Sequence, residues 1–332
     1  MRPAVLLLLL TGCTTMEKVD ALMHDYQGKV PGASVLVVRD GRAVVRRAYG
    51  FANLEEGVRA TPETNYRLAS VTKQFTAAAI LQLAEDGRLR LDDRLRQWIP
   101  SLPNATDAVT IRHLLTHTSG LIDYEDVMPP GTTAQLHDLD VQHLLESKDR
   151  TYFAPGTSYQ YSNSGYALLA LIVERASGQT FAQFLNDRIF EPLQMRNTVA
   201  FEAGVSTVAN RAFGHSEIDG KWRQTDQSLT SAVLGDGGIY SSITDLEKWD
   251  AALYDERFRA AFTPHTKTDK PDVQYGFGWR ITGETVWHSG ETIGFRNVIV
   301  RYPKRRLTVV ILTNRNGPPP YKTALAIGQL FQ

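Results

Sequence analysis

"YRLASVTKQFTAAAILQLAEDG" (residues 66–87) is the stretch from which the fold can be worked out. Over residues 71–85 the apolar side chains recur at the spacing of one helix face, and Gly87 is a typical helix stop. The spacing therefore predicts a helix whose first turn holds Ser70, where backbone N–H groups are unpaired and the helix dipole favours negative charge. Lys73 follows three residues later on the same side. The pair fits a serine nucleophile beside an amine, and it equally fits an N-cap serine followed by a solvated lysine.

The composition is that of a globular protein without a polyanionic partner. Of the 332 residues 42% are hydrophobic, and 36 Lys and Arg balance 36 Asp and Glu, so the formal net charge is zero. A neutral chain without a long basic run does not favour nucleic acid as a partner. The densest basic cluster, "YPKRRL" (residues 302–307), is predicted to be a hairpin turn between two apolar strands.

Several catalytic and cofactor motifs can be set aside. The chain has no Gly-x-Ser-x-Gly, which excludes the nucleophile elbow of an α/β-hydrolase. His113 and His117 are four residues apart, but the segment lacks the glutamate of a zinc-binding His-Glu-x-x-His helix. We therefore expect no metal and no cofactor.

The first twelve residues predict a signal peptide of the lipoprotein type. They contain one arginine, an apolar run too short to span a bilayer, and small residues near its end. The segment Leu10–Cys13 ("LTGC") resembles a bacterial lipobox, which implies cleavage before Cys13 and lipidation of its thiol. We then expect residues 13–29 to be a lipidated linker, residues 30–332 to be the folded domain, and the protein to be anchored in the periplasm, where Thr14 favours the outer membrane. A plain secretory signal that happens to contain a cysteine is the alternative.

Strand patterns lie at both ends of the chain, and helical patterns lie between them. Residues 32–53 hold two β-branched runs around Asp40-Gly41, a strong hairpin signal. Residues 275–316 read as successive antiparallel strands, followed by a closing helix. This order predicts an α/β (α+β) domain in which both chain ends build one antiparallel sheet and the middle forms a helical lobe against it.

Two further triplets follow the Ser70 and Lys73 pair in a fixed order. Tyr161-Ser162-Asn163 precedes an apolar helix, and His288-Ser289-Gly290 ends a predicted strand. With these elements the chain resembles the serine β-lactamase-like, penicillin-binding-protein-like hydrolases, which include class C β-lactamases, D-alanyl-D-alanine carboxypeptidases and family VIII esterases. These proteins share Ser-x-x-Lys, Tyr-x-Asn and Lys/His/Trp-x-Gly in the same order, and the likeness runs from Val30 to Gln332. The resemblance implies a β-lactamase/transpeptidase-like fold.

The resemblance also implies catalytic roles for three residues. Ser70 is expected to be the nucleophile that forms an acyl-enzyme. Tyr161 is expected to take its proton and later to protonate the leaving group. Lys73 is expected to hold the pKa of the phenol below its free value by its positive charge. Whether Lys73 or Tyr161 is the first proton acceptor stays open.

Four further residues are implied on the substrate side. Asn163 is expected to hydrogen-bond to the acyl-side amide of the substrate and to Lys73. The backbone N–H groups of Ser70 and Glu291, next to Gly290, are expected to form the oxyanion hole. His288 departs from the lysine usual in efficient β-lactamases and transpeptidases, and its mostly neutral imidazole can hydrogen-bond to Tyr161 or to the substrate but is a weaker anchor for a carboxylate.

Together these features predict a serine hydrolase that acts on small-molecule or peptide acyl substrates. Esters, amides and D-amino-acid-containing peptides are favoured over β-lactams because of His288. The alternative is a penicillin-recognising or cell-wall-binding lipoprotein of the same fold that does not turn its ligand over. Trp279, Trp287 and Tyr124 are candidates for the acyl pocket or the core, and Asp236 is expected to be a structural residue of the turn "GDGG".

Overall fold

The computed structural model of the protein describes residues 15–332, which form fifteen strands and ten helices. The strands are β1 (Ala33–Arg39), β2 (Arg42–Tyr49), β3 (Phe51–Asn53), β4 (Val58–Arg59), β5 (Tyr66–Arg67), β6 (Val199–Ala200), β7 (His215–Ile218), β8 (Lys221–Gln224), β9 (Ile239–Ser241), β10 (Thr266–Lys267), β11 (Gln274–Tyr275), β12 (Arg280–Thr282), β13 (Thr285–Thr292), β14 (Phe295–Tyr302) and β15 (Leu307–Thr313). The helices are α1 (15–22), α2 (Lys73–Glu85), α3 (Leu95–Trp98), α4 (Ile111–Leu115), α5 (Asp138–Glu146), α6 (Asn163–Ser177), α7 (Phe181–Leu185), α8 (Leu234–Gly237), α9 (Ile243–Ala252) and α10 (Tyr321–Gln329). Short 3₁₀ segments include Ala69–Thr72, Tyr124–Val127 and Pro303–Arg305.

The two ends of the chain meet in one antiparallel sheet of eight strands. Its order is β10-β11-β12-β13-β14-β15-β1-β2, so that β1 from the start of the chain pairs with β15 from its end, from Ala33 opposite Thr313 to Arg39 opposite Leu307. The predicted fold class and the predicted sheet are therefore confirmed. The turn predicted at "YPKRRL" is also present, because Pro303–Arg305 joins β14 to β15.

Both faces of the central strands are buried, since each face has its own helical cover. Alternate residues of β1 belong to two different apolar clusters, Leu36 and Val38 to one and Val35 and Val37 to the other. The first cluster continues into the helical lobe, and the second is closed by α1 and α10. A strand buried on both faces reads as a continuous run of β-branched residues, which is the pattern of "SVLVV" in the sequence.

The predicted linker over residues 13–29 is folded in its described part. Residues 15–22 are helical, and Val19, Met23 and Tyr26 are buried against the sheet. Apolar side chains that precede the domain boundary expected at residue 30 thus complete one of the two cores. Cys13 and the expected signal peptide lie outside the described residues. Among residues 15–332, no helix combines the length and the apolar composition needed to cross a membrane.

The helix predicted after Ser70 begins two residues later than expected. Ser70 lies in the 3₁₀ segment Ala69–Thr72, and the α-helix starts at Lys73. The side chains of α2 are buried on all sides from Lys73 to Leu83, because the helix runs through the middle of the molecule against α6. The serine and the lysine therefore lie where a strand-to-helix turn, in which Ser70 is the half-buried residue, enters a buried helix.

Candidate active site

The backbone is strained directly before Ser70. Ala69 has a φ of +50°, in the left-handed region that residues other than glycine rarely adopt. Such a conformation costs on the order of 1 kcal/mol or more and persists only where the surroundings enforce it. Here the enforcing contact is β13, which passes so close that a Cβ on Gly290 would lie 2.0 Å from the carbonyl oxygen of Leu68.

Lys73 is fully buried and has three hydrogen-bond acceptors. Its Nζ donates to Ser70 Oγ at 3.2 Å, to Asn163 Oδ1 at 2.9 Å and to the backbone oxygen of Asp236 at 2.9 Å. An ammonium has three N–H donors and no acceptor. The arrangement fits an ammonium that donates to all three groups, and it equally fits an amine that donates to the Asn163 and Asp236 oxygens and accepts the hydroxyl of Ser70.

Tyr161 lies between two cations and has an uncommitted hydroxyl. Lys73 Nζ is 5.0 Å from the centre of its ring, and Arg280 Cζ is 5.4 Å from it. The hydroxyl oxygen is buried and has no hydrogen-bond partner among the described residues. Two nearby positive charges stabilise negative charge that develops on the phenol oxygen as a proton moves. The hydroxyl makes no hydrogen bond to Ser70 Oγ or Lys73 Nζ in this structure, and the proton-transfer role that the resemblance implied stays a prediction.

The ring of His117 packs against the ring of Tyr161. Its ring is 4.2 Å from the Tyr161 ring, centre to centre, and its Nδ1 accepts the N–H of Ser162 at 3.1 Å. Burial, reinforced by the charge of Lys73, lowers the pKa of His117 well below its usual value, so the imidazole is neutral. His113 Nδ1 likewise accepts a backbone N–H, that of Thr110, at 3.2 Å. Both histidines are thus bound to the backbone around the site.

Asn163 is the first residue of α6, and both ends of its amide are engaged. Ser162 is the N-cap of the helix, with its Oγ accepting the N–H of Gly165 at 3.2 Å. The expected bond between Asn163 and Lys73 is present through Oδ1, while Nδ2 donates to Glu125 Oε1 at 3.0 Å. The donor expected to meet the acyl-side amide of a substrate therefore faces a carboxylate in this structure.

Asp236 is a member of the site that sequence reasoning assigned only to a turn. Its backbone oxygen binds Lys73, its carboxylate accepts the hydroxyl of Tyr124 at 3.0 Å, and it lines the cleft that contains Ser70. Burial raises the pKa of Asp236 to about 7, although the charge of Lys73 opposes the rise. Asp138 fixes the turn by accepting the N–H groups of Leu234 and Gly235 at 2.9 and 3.0 Å. The sequence carries no local signal for this role, because the partners of Asp236 are remote along the chain.

Gly290 and Glu291 bring β13 to the nucleophile. The close approach at Gly290 leaves no room for a side chain, and Glu291, the next residue, lines the same cleft as Ser70. The side chain of Glu291 points to Arg296, with 3.4 Å between its Oε2 and the Nε of the arginine. The segments that carry the two expected oxyanion donors are thus in direct contact.

His288 is enclosed within the protein, and its expected contact with a substrate stays a prediction. The ring is fully buried, with Nδ1 donating to the backbone oxygen of Ser289 at 2.6 Å and Nε2 accepting from the hydroxyl of Tyr275 at 3.0 Å. Burial, with the charges of Arg280 and Lys73, lowers its pKa well below the usual value. Both nitrogens are therefore committed inside the protein, and the hydroxyl of Tyr161 is not one of their partners.

Arg280 is a second site residue that sequence reasoning missed. It lies on β12, beside the strand that carries His288, with Cζ 5.3 Å from the centre of the Trp287 ring and Nη1 3.4 Å from Ser289 Oγ. Among residues 15–332, no carboxylate forms an ion pair with it. Of the aromatic candidates, Tyr124 lines the cleft. Trp287 stacks on Tyr321 of α10 and Trp279 packs against Phe262, so both belong to the cores.

Comparisons with known proteins agree with this architecture. The family model described as beta-lactamase matches residues 16–331. Penicillin-binding protein 4* of Bacillus subtilis is 32% identical over 327 residues, which cover 91% of this chain and 71% of the relative. Protein flp of Staphylococcus aureus strain MW2 is 29% identical over 326 residues, which cover 91% of this chain but only 64% of the relative, less than two thirds of its length.

Solved structures share the fold over nearly the whole chain. A penicillin-binding protein from Bacillus halodurans superposes with a TM-score of 0.82 at 30% identity, covering 94% of this chain and 99% of that one. An octameric penicillin-binding protein homologue from Pyrococcus abyssi gives a TM-score of 0.83 at 29% identity, covering 96% and 77%. D-amino acid amidase from Ochrobactrum anthropi SV3 gives 0.82 at 22% identity, covering 95% and 99%, which is a likeness of fold.

Proposed function

The chain belongs to the beta-lactamase family, and from this premise we propose that it is a serine hydrolase that works through an acyl-enzyme on Ser70. One observation carries the proposal: a buried Lys73 holds Ser70 Oγ at 3.2 Å beside a tyrosine whose buried hydroxyl has no partner among the described residues. A nucleophile, a fixed cation and a free proton acceptor are the groups that acyl transfer needs.

Acylation begins when Tyr161, as phenolate, takes the proton of Ser70 and Oγ attacks the carbonyl carbon of the substrate. The carbonyl electrons move to its oxygen, which the N–H groups of Ser70 and Glu291 bind, an interaction worth about 10²–10³ in rate per donor. When the carbonyl re-forms, the bond to the leaving group breaks, and Tyr161 gives its proton to that group. Lys73 keeps its three hydrogen-bond partners throughout, and its positive charge stabilises the negative charge that develops on the Tyr161 oxygen and on the substrate oxygen.

Deacylation repeats these steps with water as the nucleophile. Tyr161 takes a proton from the water molecule, whose oxygen attacks the acyl carbon. The bond to Ser70 Oγ then breaks, and the serine recovers the proton from Tyr161 as the acid departs. Esters, amides and D-amino-acid-containing peptides are the proposed substrates, with at most weak β-lactamase activity. The support for this choice is His288, a neutral and enclosed imidazole where efficient β-lactamases have a lysine.

Replacing the nucleophile tests the function. We expect Ser70→Ala to lower hydrolysis of the neutral ester p-nitrophenyl acetate by at least about 10³-fold, because loss of a nucleophile removes the covalent route. Ser147→Ala, a change at an exposed serine remote from the cleft, is the matched control. Equal rates in Ser70→Ala and the parent would overturn the proposal. A single stoichiometric burst on Ser70 without steady turnover would instead support the penicillin-recognising alternative.

For the location, we propose a lipid anchor on Cys13 that holds the enzyme in the periplasm. The support is the lipobox-like segment before Cys13. Radioactive palmitate is expected to label the expressed chain but not its Cys13→Ala variant, and the variant is expected to leave the membrane fraction. A Cys13→Ala chain that stays membrane-bound would disprove the anchor.

A further inference from the structure

One end of the large sheet is strongly basic. Two turns meet there, one between β1 and β2 and one between β14 and β15, because the N–H of Asp40 donates to the backbone oxygen of Arg306 at 2.9 Å. Like charges on neighbouring turns create a positive potential over the surface that they share. Five exposed basic side chains lie on these turns and at the strand ends beside them, and we call them the basic end of the sheet: Arg39, Arg42, Lys304, Arg305 and Arg306.

Carboxylates neutralise only part of the basic end. Asp40 Oδ2 lies 3.9 Å from Arg39 Nε, and Glu284 Oε1 lies 2.9 Å from Arg305 Nη2. Exposed cations without an acid beside them attract an anionic surface. Among residues 15–332, no carboxylate forms an ion pair with the three remaining members, which are Arg42, Lys304 and Arg306.

Helix α1 begins on the side of the sheet where the basic end lies. The helix runs in the same direction as β2, since Asp20 lies 3.6 Å from Arg47 and the following Asp25 accepts a hydrogen bond from Arg315 at the opposite end of the sheet. One turn before Asp20, Met16 lines a groove with the early part of β2. The start of α1 therefore points toward the basic end.

The proposed lipid anchor is thereby tied to the same end of the molecule. Cys13 precedes Thr15, the first described residue, by two positions in the sequence. Two residues of chain span at most about 7 Å when they are fully extended. A lipid on Cys13 would therefore hold the start of α1, and with it the basic end, close to the membrane surface.

We propose that the basic end of the sheet rests on anionic phospholipid headgroups and holds the folded domain in one orientation on the membrane. A lipid anchor alone tethers the domain and leaves it free to rotate. Basic side chains that lie within a Debye length of an anionic bilayer, about 8–10 Å, add an attraction that depends on orientation. This inference adds an interaction surface to the proposed anchor and does not depend on the reaction at Ser70.

The proposed orientation keeps the Ser70 cleft away from the bilayer. Strand β14 reaches the basic end at Tyr302, whereas Gly290, which contacts the turn that carries Ser70, is paired with Asn297. The five residues from Asn297 to Tyr302 span about 17 Å along the strand. A substrate dissolved in the aqueous phase, rather than a lipid within the bilayer, is then within reach of Ser70.

Sedimentation with vesicles tests the contact on the full chain. At low salt we expect the partition coefficient to be on the order of a hundredfold higher on phosphatidylcholine vesicles with about 30% phosphatidylglycerol than on phosphatidylcholine alone. The anchor contributes equally to both values, so their ratio isolates the charged surface. Salt at about 1 M should remove the preference, because it shortens the Debye length to about 3 Å. Arg42→Gln combined with Lys304→Gln is expected to lower the ratio at least about tenfold.

A second pair of substitutions separates this surface from the net charge of the protein. Arg150→Gln combined with Lys221→Gln removes the same charge from exposed positions in the helical lobe and on β8, and it should keep the parent ratio. Circular dichroism checks that both double variants fold. Equal ratios in the two double variants would overturn the proposed surface.

The result for the parent chain also distinguishes the surface from the anchor. Equal partition on the two kinds of vesicle, with palmitate still incorporated at Cys13, would overturn this inference and leave the anchor standing. A retained preference for phosphatidylglycerol that is lost in the Arg42 and Lys304 variant, in a chain that palmitate does not label, would overturn the anchor and support the surface.

Discussion

At the scale of single residues, the site depends on side chains whose environment is set far along the chain. The sequence predicted that Ser70 and Lys73 share one side of a helix start, which the structure contains. Two of the three acceptors of Lys73 lie 90 and 163 residues away in the chain. The sequence therefore left open which group takes the serine proton. The hydrogen-bond partner of His288, Tyr275, likewise lies on a different strand.

Asp236 gives the Ser70 cleft a carboxyl whose charge depends on pH, and the charged form favours a substrate that carries an ammonium. Because its pKa is raised to about 7, its carboxyl is neutral below that pH and charged above it. The charged and titratable groups that act on it are Lys73, Tyr124, Glu125, Asp123, Arg67 and Asp138. We expect kcat/KM for D-alanyl-D-alanine, relative to its N-acetyl form, to rise between about pH 5.5 and 7.5, where the substrate amine stays mostly protonated. Asp236→Asn should flatten this rise.

The pH experiment has a simple control and a clear adverse result. Asp255→Asn changes a surface aspartate outside the cleft and should keep the parent profile. The same rise in the Asp236→Asn variant would assign the titration to another group, and a fall with rising pH in the parent would contradict the charge assigned to the cleft.

At the scale of elements, β13 determines the shape of the turn that carries Ser70. The apolar pattern predicted an α-helix from Val71, but residues Ala69–Thr72 form a 3₁₀ turn with a left-handed Ala69. Local propensity cannot predict this turn, because its conformation follows from the contact between the Leu68 carbonyl and Gly290 on a strand that comes much later in the chain. The glycine of the His-x-Gly triplet is thus required by a close backbone approach.

The contact at Gly290 predicts a large effect of one methyl group. In Gly290→Ala the new Cβ would lie 2.0 Å from Leu68 O, so the strand and the turn must separate. Displacing one oxyanion donor is expected to lower kcat by about 10²–10³. Gly165→Ala in α6 is the control, because its Cβ would meet Leu114 O at an ordinary 3.5 Å. Circular dichroism checks that both variants fold, and an active Gly290→Ala would refute the tight contact.

At the scale of the whole molecule, strand patterns at the two chain ends were enough to predict one sheet. These strands could be recognised because burial on both faces leaves an unbroken run of β-branched residues in the sequence. The segment expected to be a linker contains α1, which with α10 covers one face of this sheet, and its Val19, Met23 and Tyr26 recur at helical spacing and are buried. That signal is short and lies in a polar segment, so it was assigned to a linker. Its importance follows only from the sheet face that it covers, which is built from the opposite end of the chain.

Substitutions of two neighbouring residues, Met23 and Leu22, test whether this segment is part of the folded domain. Met23 is 0% exposed and belongs to the cluster between α1, α10 and the sheet, whereas Leu22 is 38% exposed. The segment is also tied to the end of β15, because Arg315 donates to the backbone oxygen of Asp25 at 2.8 Å.

Met23→Ala is expected to lower the free energy of unfolding by about 2–5 kcal/mol through the lost burial and the cavity. Leu22→Ala should change it by less than about 0.5 kcal/mol. Urea unfolding measures both, and equal midpoints for the two variants would mean that residues 15–26 are a linker after all.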